Sequence, residues 1–161
     1  MSKIILASSS IYRQELLKRL PIKFTSTSPN INEARINDEN FKDQARRLSN
    51  EKAEVISKKN PSAFVIGSDQ TAEFKKKEVR KPLSIEKAFV QLRELSGQTL
   101  NFYSGICLKN VQKNISADEV VEFSVTYKKL SEEQIKNYLK MEDPTQCVGT
   151  VSYTHLTLPT N

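Results

Sequence analysis

The segment 63–67, Ala-Phe-Val-Ile-Gly, contains no polar side chain and constrains the fold more than any other part of the chain. A short continuous apolar run of this kind predicts a strand in the middle of a sheet. Ser68, Asp69 and Gln70 follow it, so we expect three polar side chains where the strand ends. Asp69 would then lie at the rim of the sheet, where open α/β folds bind ligands.

The segments around this strand alternate between strand-like and helix-like patterns. This mixed order predicts an α/β or α+β arrangement of layers. In the first predicted helix, Leu16, Leu17 and Leu20 share one face. Residues 21–33 are predicted to be extended, and a short hairpin is predicted after residue 70. The other predicted strands are 3–7, 99–108 and 119–127, and the predicted helices are 11–20, 39–59, 85–95 and 132–140.

Two of these helices have clear local signals in the sequence. Ser84 is predicted to cap the third helix, which carries Ala88, Leu92 and Leu95 on one face. The segment Ser131-x-x-Gln134 is a capping box for the fourth helix.

The length of 161 residues fits one domain. Apolar residues make up 37% and charged residues 27%, and no apolar run approaches the length of a membrane span. We find no secretory signal, so we predict a cytoplasmic protein without a membrane partner. The chain has a single histidine, His155, which argues against a histidine-based mechanism, so we expect any acid–base chemistry to use carboxylates or lysines.

The net charge of +6 is spread along the chain. A basic surface can attract nucleic acid or a phosphorylated small molecule. However, the densest run, 75–77, is flanked by glutamates and is predicted to be a solvated turn. An RNA-binding protein therefore rests on net charge alone, and we predict no nucleic-acid partner. Cys107 and Cys147 show neither metal-ligand spacing nor a disulfide pattern, which indicates reduced thiols.

The segment 8–10, Ser-Ser-Ser, stands between a predicted strand and a predicted helix, with Arg13 in the first helical turn. Hydroxyl groups, free N–H groups and the helix dipole can together bind an anion, and an arginine can fork onto a phosphate. The alternative is a serine N-cap with a solvated arginine. On spacing alone the cap is the more common arrangement.

Four other charged residues are candidates for chemistry. Asp69 could be a general base, a metal ligand or a turn-forming aspartate. Lys52 lies on the apolar stripe of its own helix, so its ammonium group either reaches solvent or points into a cleft. Lys81 is equally ambiguous, and Glu33 lies in a loop and indicates little alone. Together with Arg13, these charges could stabilise a phosphate chain and hold a divalent ion.

Several short segments, in consistent order over residues 3–149, resemble motifs of the Maf family of nucleotide pyrophosphatases. Jointly they are specific, although each is short. The segment 6–13, Leu-Ala-Ser-Ser-Ser-Ile-Tyr-Arg, resembles the family's opening Leu-Ala-Ser-x-Ser-Pro-x-Arg. The other matching segments are Glu51-Lys52-Ala53, Ile66-Gly67-Ser68-Asp69-Gln70, Lys81-Pro82-Leu83, Leu95-Ser96-Gly97 and Phe102-Tyr103-Ser104-Gly105.

The resemblance implies an α/β fold of the Maf/inosine-triphosphatase-like type, with a mixed sheet flanked by helices. It implies hydrolysis of a nucleoside triphosphate to the monophosphate and pyrophosphate with a divalent metal, Mg or Mn. By the same resemblance, Asp69 is the proton acceptor that activates water, and Glu33 and Asp69 hold the metal. Arg13, Lys52 and Lys81 would neutralise the triphosphate, aided by the Ser8 and Ser10 hydroxyls. We leave open that the chain forms a homodimer.

Tyr12 and Gln70 occupy positions that the resemblance links to base choice. The subgroup that prefers dTTP and UTP usually has threonine after the aspartate. The Asp-Gln pair of this chain, with an aromatic residue before Arg13, resembles the 7-methyl-GTP subgroup instead. An aromatic ring can stack on the cationic methylated base, and an amide can bond its edge. The alternatives are a dTTP/UTP pyrophosphatase and a nucleotide-binding module without turnover.

The chain departs from the family pattern at three places. Ile11 replaces the usual proline, and Arg80 replaces the glycine before Lys81. After Gly149 the family continues with a segment like Ser-Phe-Lys-Ser-Glu-Gly-x-Gly, which this chain lacks. We therefore predict a Maf-like domain over residues 1–149, with its C-terminal part missing, and a non-native tail over residues 150–161.

Overall fold

A computed structural model describes residues 3–150 of the chain. Within that range it has an α/β organisation. The strands are β1 (Ile4–Ala7), β2 (Thr25–Ser26), β3 (Phe64–Phe74), β4 (Lys77–Glu78), β5 (Thr99–Asn110) and β6 (Ile115–Thr126), and the helices are α1 (Ile11–Lys18), α2 (Phe41–Lys59), α3 (Ile85–Leu95) and α4 (Glu132–Met141), followed by a 3-10 turn at Val148–Thr150.

The strands form one sheet in the order β2-β1-β3-β5-β6, and β4 pairs with β3. Strand β1 is parallel to both β2 and β3, whereas β3 and β4 are antiparallel. The sheet is therefore mixed, as predicted. Lys75 and Lys76 have φ angles of 49° and 63° and make the tight turn of the β3–β4 hairpin. Both side chains are exposed, which confirms the predicted solvated turn.

Helices α2, α3 and α4 each follow a polar N-cap and begin at or near the predicted start. Helix α2 begins after Asn40, whose side chain accepts a hydrogen bond from the Asp43 N–H. Helix α3 begins after Ser84 and buries Ala88, Leu92 and Leu95, the predicted face. Helix α4 begins at the predicted capping box, in which Ser131 and Gln134 exchange hydrogen bonds.

Two predictions about local structure were wrong. Strand β3 does not end at Gly67 but continues to Phe74, so Asp69 and Gln70 lie inside the strand. Residues 67, 69 and 71 are all buried, and this alternation continues the strand after its apolar run has ended. Helix α1 ends at Lys18, two residues earlier than predicted, and none of its residues is buried.

The extended region predicted over residues 21–33 contains only the two-residue strand β2. Strands β5 and β6 are each longer than predicted, because both run close to the turn that joins them. Thr99 and Thr126 bond across this pair, as do Asn101 and Ser124. Polar residues on both strands had obscured their length in the sequence.

The chain divides into two compact units, described separately below. Among described residues, the first comprises 3–71 and 103–122, and the second comprises 72–102 and 123–150. The core of the first is formed by Ile5, Ala7, Ala53, Ile56, Ala63, Val65 and Cys107. The core of the second is formed by Ala72, Leu92, Leu95, Leu100, Phe102, Tyr127 and Ile135.

Both cysteines are buried free thiols, as predicted. No helix among residues 3–150 has the combination of length and apolar character that crossing a membrane requires. Thr150, the first residue of the predicted tail, is buried and accepts a hydrogen bond from the Tyr138 hydroxyl at its carbonyl oxygen. The rest of that prediction falls on residues 151–161, which lie outside the described residues.

In the first unit, strand β3 packs closely on helix α2. A Cβ atom at Gly67 would lie 2.1 Å from the Ser49 carbonyl oxygen and 2.8 Å from the Ala53 nitrogen. At Thr71, on the same face, Oγ1 donates a hydrogen bond of 2.7 Å to the Phe41 carbonyl oxygen. The strand and the helix therefore touch through their backbones, and only glycine fits at position 67.

We predict that Gly67→Ala destabilises the protein by at least about 2 kcal/mol, because its Cβ would push the α2 backbone away. Urea denaturation of the wild-type and variant proteins measures this difference. Ser68→Ala is the matched control, since Ser68 is the next residue along β3 and lies on its other face. Equal stability of Gly67→Ala and the control would contradict the close packing.

Candidate active site

A cluster of charged side chains lies where β3 packs on α2. Asp69 is 5% exposed and Lys52 is 4% exposed. Lys52 Nζ lies 2.5 Å from Asp69 Oδ1 and 2.7 Å from Glu33 Oε1. Arg13 Nη2 lies 3.9 Å from the same Asp69 oxygen. The structure thus brings together four of the residues predicted from the sequence.

The position of Asp69 follows from the alternation of β3. Gly67, Asp69 and Thr71 share the strand face that packs on α2, and Lys52 extends from α2 toward that face. The sequence left two possibilities for Lys52, solvent or a cleft. Its ammonium group instead lies between two carboxylates, because a buried ammonium requires paired charge.

The serine segment 8–10 forms a cap, as the simpler interpretation of the sequence proposed. Ser8 Oγ accepts a hydrogen bond of 3.1 Å from the Ser10 N–H. Ser10 is the N-cap of α1, and its Oγ accepts a bond of 3.4 Å from the Arg13 N–H. A hydroxyl that accepts a bond keeps its own O–H as a donor. The cap is therefore compatible with phosphate binding and also orients α1, which carries Arg13.

Gln70 and Tyr12, the residues predicted to select the base, lie on β3 and α1. Gln70 follows Asp69 in β3, so its side chain is on the opposite face of the strand. Its Nε2 donates a hydrogen bond of 2.8 Å to Ser104 Oγ. Tyr12 is half-buried on α1, next to Arg13. Their roles in base choice stay predictions.

Lys81 belongs to the second unit. It is exposed, in the segment between β4 and α3. The backbone of that segment is held by a hydrogen bond of 3.1 Å from the Leu83 N–H to the Thr145 carbonyl oxygen. Its role toward phosphate stays a prediction.

The charges of the cluster set the acidity of Asp69. Its pKa is raised above the ordinary value of 3.8, with burial as the largest cause. The Lys52 ammonium and the Arg13 guanidinium lower the pKa but do not cancel the effect of burial, and the Glu33 carboxylate raises it further. A general base works best when its pKa lies near the working pH, so this shift suits proton transfer.

Glu33 and Asp69 are the carboxylates that could hold a metal ion. Oxygen ligands of this kind suit Mg²⁺ and Mn²⁺, and both carboxylates converge on one point, the Lys52 ammonium. Among residues 3–150 no group of three or more metal-ligating side chains occurs. The residues therefore fit an ion held by two carboxylates and completed by water and phosphate oxygens, which is how Mg²⁺ is usually bound.

The ion pair between Arg47 and Glu39 was not predicted from the sequence. It lies beside this cluster, because Arg47 also bonds the backbone next to Glu33. Arg47 and Glu51 are four residues apart on α2, a spacing that is readable as an ion pair. Glu39 precedes the helix, so no helical spacing links it to Arg47. This contact depends on the path of a segment without regular structure.

We predict that Asp69 makes the metal-free protein less stable as the pH rises. Because its folded-state pKa is raised, its stabilising contribution is fully present below pH 3.8 and is lost as the pH rises through the folded-state pKa. Urea unfolding in EDTA, from about pH 4 to about pH 7, should show the wild type losing stability relative to Asp69→Asn. If the stability of the wild type relative to Asp69→Asn stayed constant or rose with pH, this would contradict the raised pKa.

Comparison with known proteins places this chain in a family. Curated relatives described as 7-methyl-GTP pyrophosphatase include those of Nitrosococcus oceani, 44% identical over 91% of this chain and 74% of the relative, and Pseudomonas putida, 41% identical over 93% and 78%. That of Colwellia psychrerythraea is 35% identical over 93% and 75%.

The solved structure of the Staphylococcus aureus Ham1 protein has a TM-score of 0.48 against this chain. The two are 16% identical over 78% of this chain and 70% of that one, and this likeness carries no argument.

A family model described as Maf-like protein matches residues 3–159. This match spans nearly the whole chain and includes every residue of the charged cluster. The chain therefore belongs to the Maf family.

Proposed function

We propose that this chain is a nucleoside triphosphate pyrophosphatase that hydrolyses 7-methyl-GTP to 7-methyl-GMP and pyrophosphate. The observation that carries the proposal is the buried Asp69 carboxylate, paired with Lys52 and flanked by Arg13 and Glu33. The printed names of the relatives support the substrate. The reaction belongs in the cytoplasm, and pairing into a homodimer stays a prediction.

In the proposed reaction Asp69 accepts a proton from a water molecule. The water oxygen forms a bond to the α-phosphorus, and the bond from that phosphorus to the oxygen bridging the α- and β-phosphates breaks. Pyrophosphate leaves, and 7-methyl-GMP is the other product. Burial of Asp69 favours this role, because it raises the carboxyl pKa toward neutral pH.

Negative charge on the phosphate chain is balanced by residues of this chain. Arg13 and Lys52 are in the first unit beside Asp69, and Lys81 is proposed to act with them. The Ser8 and Ser10 hydroxyls donate to phosphate oxygens while they keep their caps. A divalent ion bound by Glu33 and Asp69 would polarise the phosphate and lower the barrier to attack.

Base selection is assigned to Tyr12 and Gln70. The ring of Tyr12 would stack on the 7-methylguanine, which carries a positive charge, and cation–π contact favours that base over guanine. The Gln70 amide would bond the base edge. Because Gln70 lies on the strand face opposite Asp69, the base and the scissile phosphate would be bound by different faces of β3.

The first test is pyrophosphate release from 7-methyl-GTP, GTP, dTTP and UTP with Mg²⁺. We expect release from 7-methyl-GTP to exceed that from the others. Asp69→Asn should lower it by about 10²- to 10⁴-fold, the usual contribution of a general base. Glu119→Gln, at an exposed acid of β6, is the control and should retain the rate.

Two outcomes would contradict the proposal. Preferred release from dTTP and UTP would replace the substrate by the pyrimidine alternative. Binding of 7-methyl-GTP without release from any nucleotide, by a protein that circular dichroism shows to be folded, would support a binding module instead of an enzyme.

A second test concerns Gln70. Gln70→Thr should lower the preference for 7-methyl-GTP over UTP by about 2- to 10-fold, the worth of one hydrogen bond between neutral groups. The ratio of the two kcat/KM values measures the preference. Gln98→Thr makes the same substitution at an exposed glutamine and should leave the ratio unchanged. An unchanged ratio in Gln70→Thr would remove Gln70 from base selection.

A further inference from the structure

Arg47 forms the most extensively bonded ion-pair network beside the charged cluster. On α2, its Nε and Nη2 bond Glu39 Oε1 and Oε2 at 2.7 and 2.9 Å, a two-pronged contact. Its Nη1 lies 3.2 and 3.3 Å from the two Glu51 carboxylate oxygens. The side chain is 19% exposed and that of Glu39 only 9%, so this pair is shielded from water.

The same guanidinium also bonds the backbone that carries Glu33. Arg47 Nη2 donates a hydrogen bond of 3.1 Å to the carbonyl oxygen of Ala34, the residue that follows Glu33. The described structure assigns no helix or strand to residues 27–40. Within residues 33–40 the structure also has local bonds, such as that from the Ile36 N–H to Glu39 Oε2 at 3.4 Å.

We propose that Arg47 is a positioning residue, which holds the segment 33–39 on α2 so that the Glu33 carboxylate reaches the site of Lys52 and Asp69. The inference rests on the proposed function, in which Glu33 is a metal ligand. Arg47 touches neither substrate nor metal in this assignment. It acts through the backbone at Ala34 and through the carboxylate of Glu39.

The need for such an anchor follows from the exposure of Glu33. The Glu33 side chain is 59% exposed, and among residues 3–150 its tip pairs with Lys52 alone. Ordering backbone residues costs conformational entropy, so an exposed loop does not hold a metal-ligating side chain in place by itself. The Arg47 guanidinium also lowers the pKa of the Glu39 carboxyl, which keeps this pair charged at neutral pH.

A lysine cannot replace this arginine, although it keeps the charge. Arginine offers several N–H donors in a rigid planar fork, and here they contact Glu39, Glu51 and Ala34 at once. A lysine ammonium is a point charge on a flexible stem and would not hold all three partners. Arg47→Lys therefore removes the anchor with little change in the net charge near the site.

The test is direct binding of Mn²⁺, measured by electron paramagnetic resonance without nucleotide, on the full chain. We expect Arg47→Lys to weaken Mn²⁺ binding by about tenfold or more, as is usual when a partner of a metal ligand is removed. Arg46→Lys is the matched control. Arg46 is the preceding residue of the same helix and pairs with Asp118 at 3.3 Å, away from Glu33, so its Mn²⁺ affinity should match the wild type within about twofold.

A double-mutant cycle with Glu33→Gln separates positioning from general destabilisation. If Arg47 acts through Glu33, Arg47→Lys should weaken Mn²⁺ binding in the wild type but have little further effect in the Glu33→Gln protein. Should Arg47→Lys fail to fold by circular dichroism, Glu39→Gln breaks the same fork from its other side and is expected to give the same result.

Three outcomes would overturn the inference. The first is Mn²⁺ binding by Arg47→Lys equal to that of the wild type while Glu33→Gln weakens it. The second is an undiminished effect of Arg47→Lys in the Glu33→Gln protein. The third is no effect of Glu33→Gln itself, which removes Glu33 as a ligand. Pyrophosphate release from 7-methyl-GTP would stand in each case, so failure of the inference is distinguishable from failure of the proposed function.

Discussion

The buried ion pair between Lys52 and Asp69 is the interaction on which the rest of the first unit depends. Each charge alone would be costly to remove from water, and each is tolerated because the other lies 2.5 Å away. The pair requires β3 and α2 to lie close together, and Gly67 allows this by leaving no side chain between the two backbones. A tight glycine contact, which is chemically inert, thus sets the distance between two charged groups.

The cluster also shows how a fold can prepare a site for a highly charged ligand. Two carboxylates and two cations nearly cancel one another, so the site is close to neutral before a nucleotide binds. Burial nevertheless raises the Asp69 pKa, because the neighbouring cations only partly offset the loss of water. The cations that stabilise Asp69 in the free protein are those proposed to meet the phosphates, so one set of charges serves two states.

Contacts around the site form two layers with different exposure. Lys52 and Asp69 are held by regular structure, a helix and a strand with buried backbones. Glu33 and Arg13 are more exposed, and they depend on a loop and on the start of a short helix whose serine cap orients it. Arg47 connects the two layers, because it extends from α2 to the backbone of the loop. Such a division gives Asp69 a fixed place and leaves the more exposed charged groups able to adjust.

The sequence by itself determined the mixed α/β class, the long helix α2 and the caps of α3 and α4, because local periodicity and capping chemistry are encoded over a few residues. Its motifs also identified the family and the candidate residues Arg13, Glu33, Lys52 and Asp69. It misplaced the end of β3, since the strand continues through polar residues that only their neighbours bury. It left Lys52 ambiguous and missed the contact of Arg47 with Glu39, for which no spacing rule exists. Tertiary structure decided these points, because the pairing of a buried charge depends on the residue that packing brings opposite it, and that residue is far away in the chain.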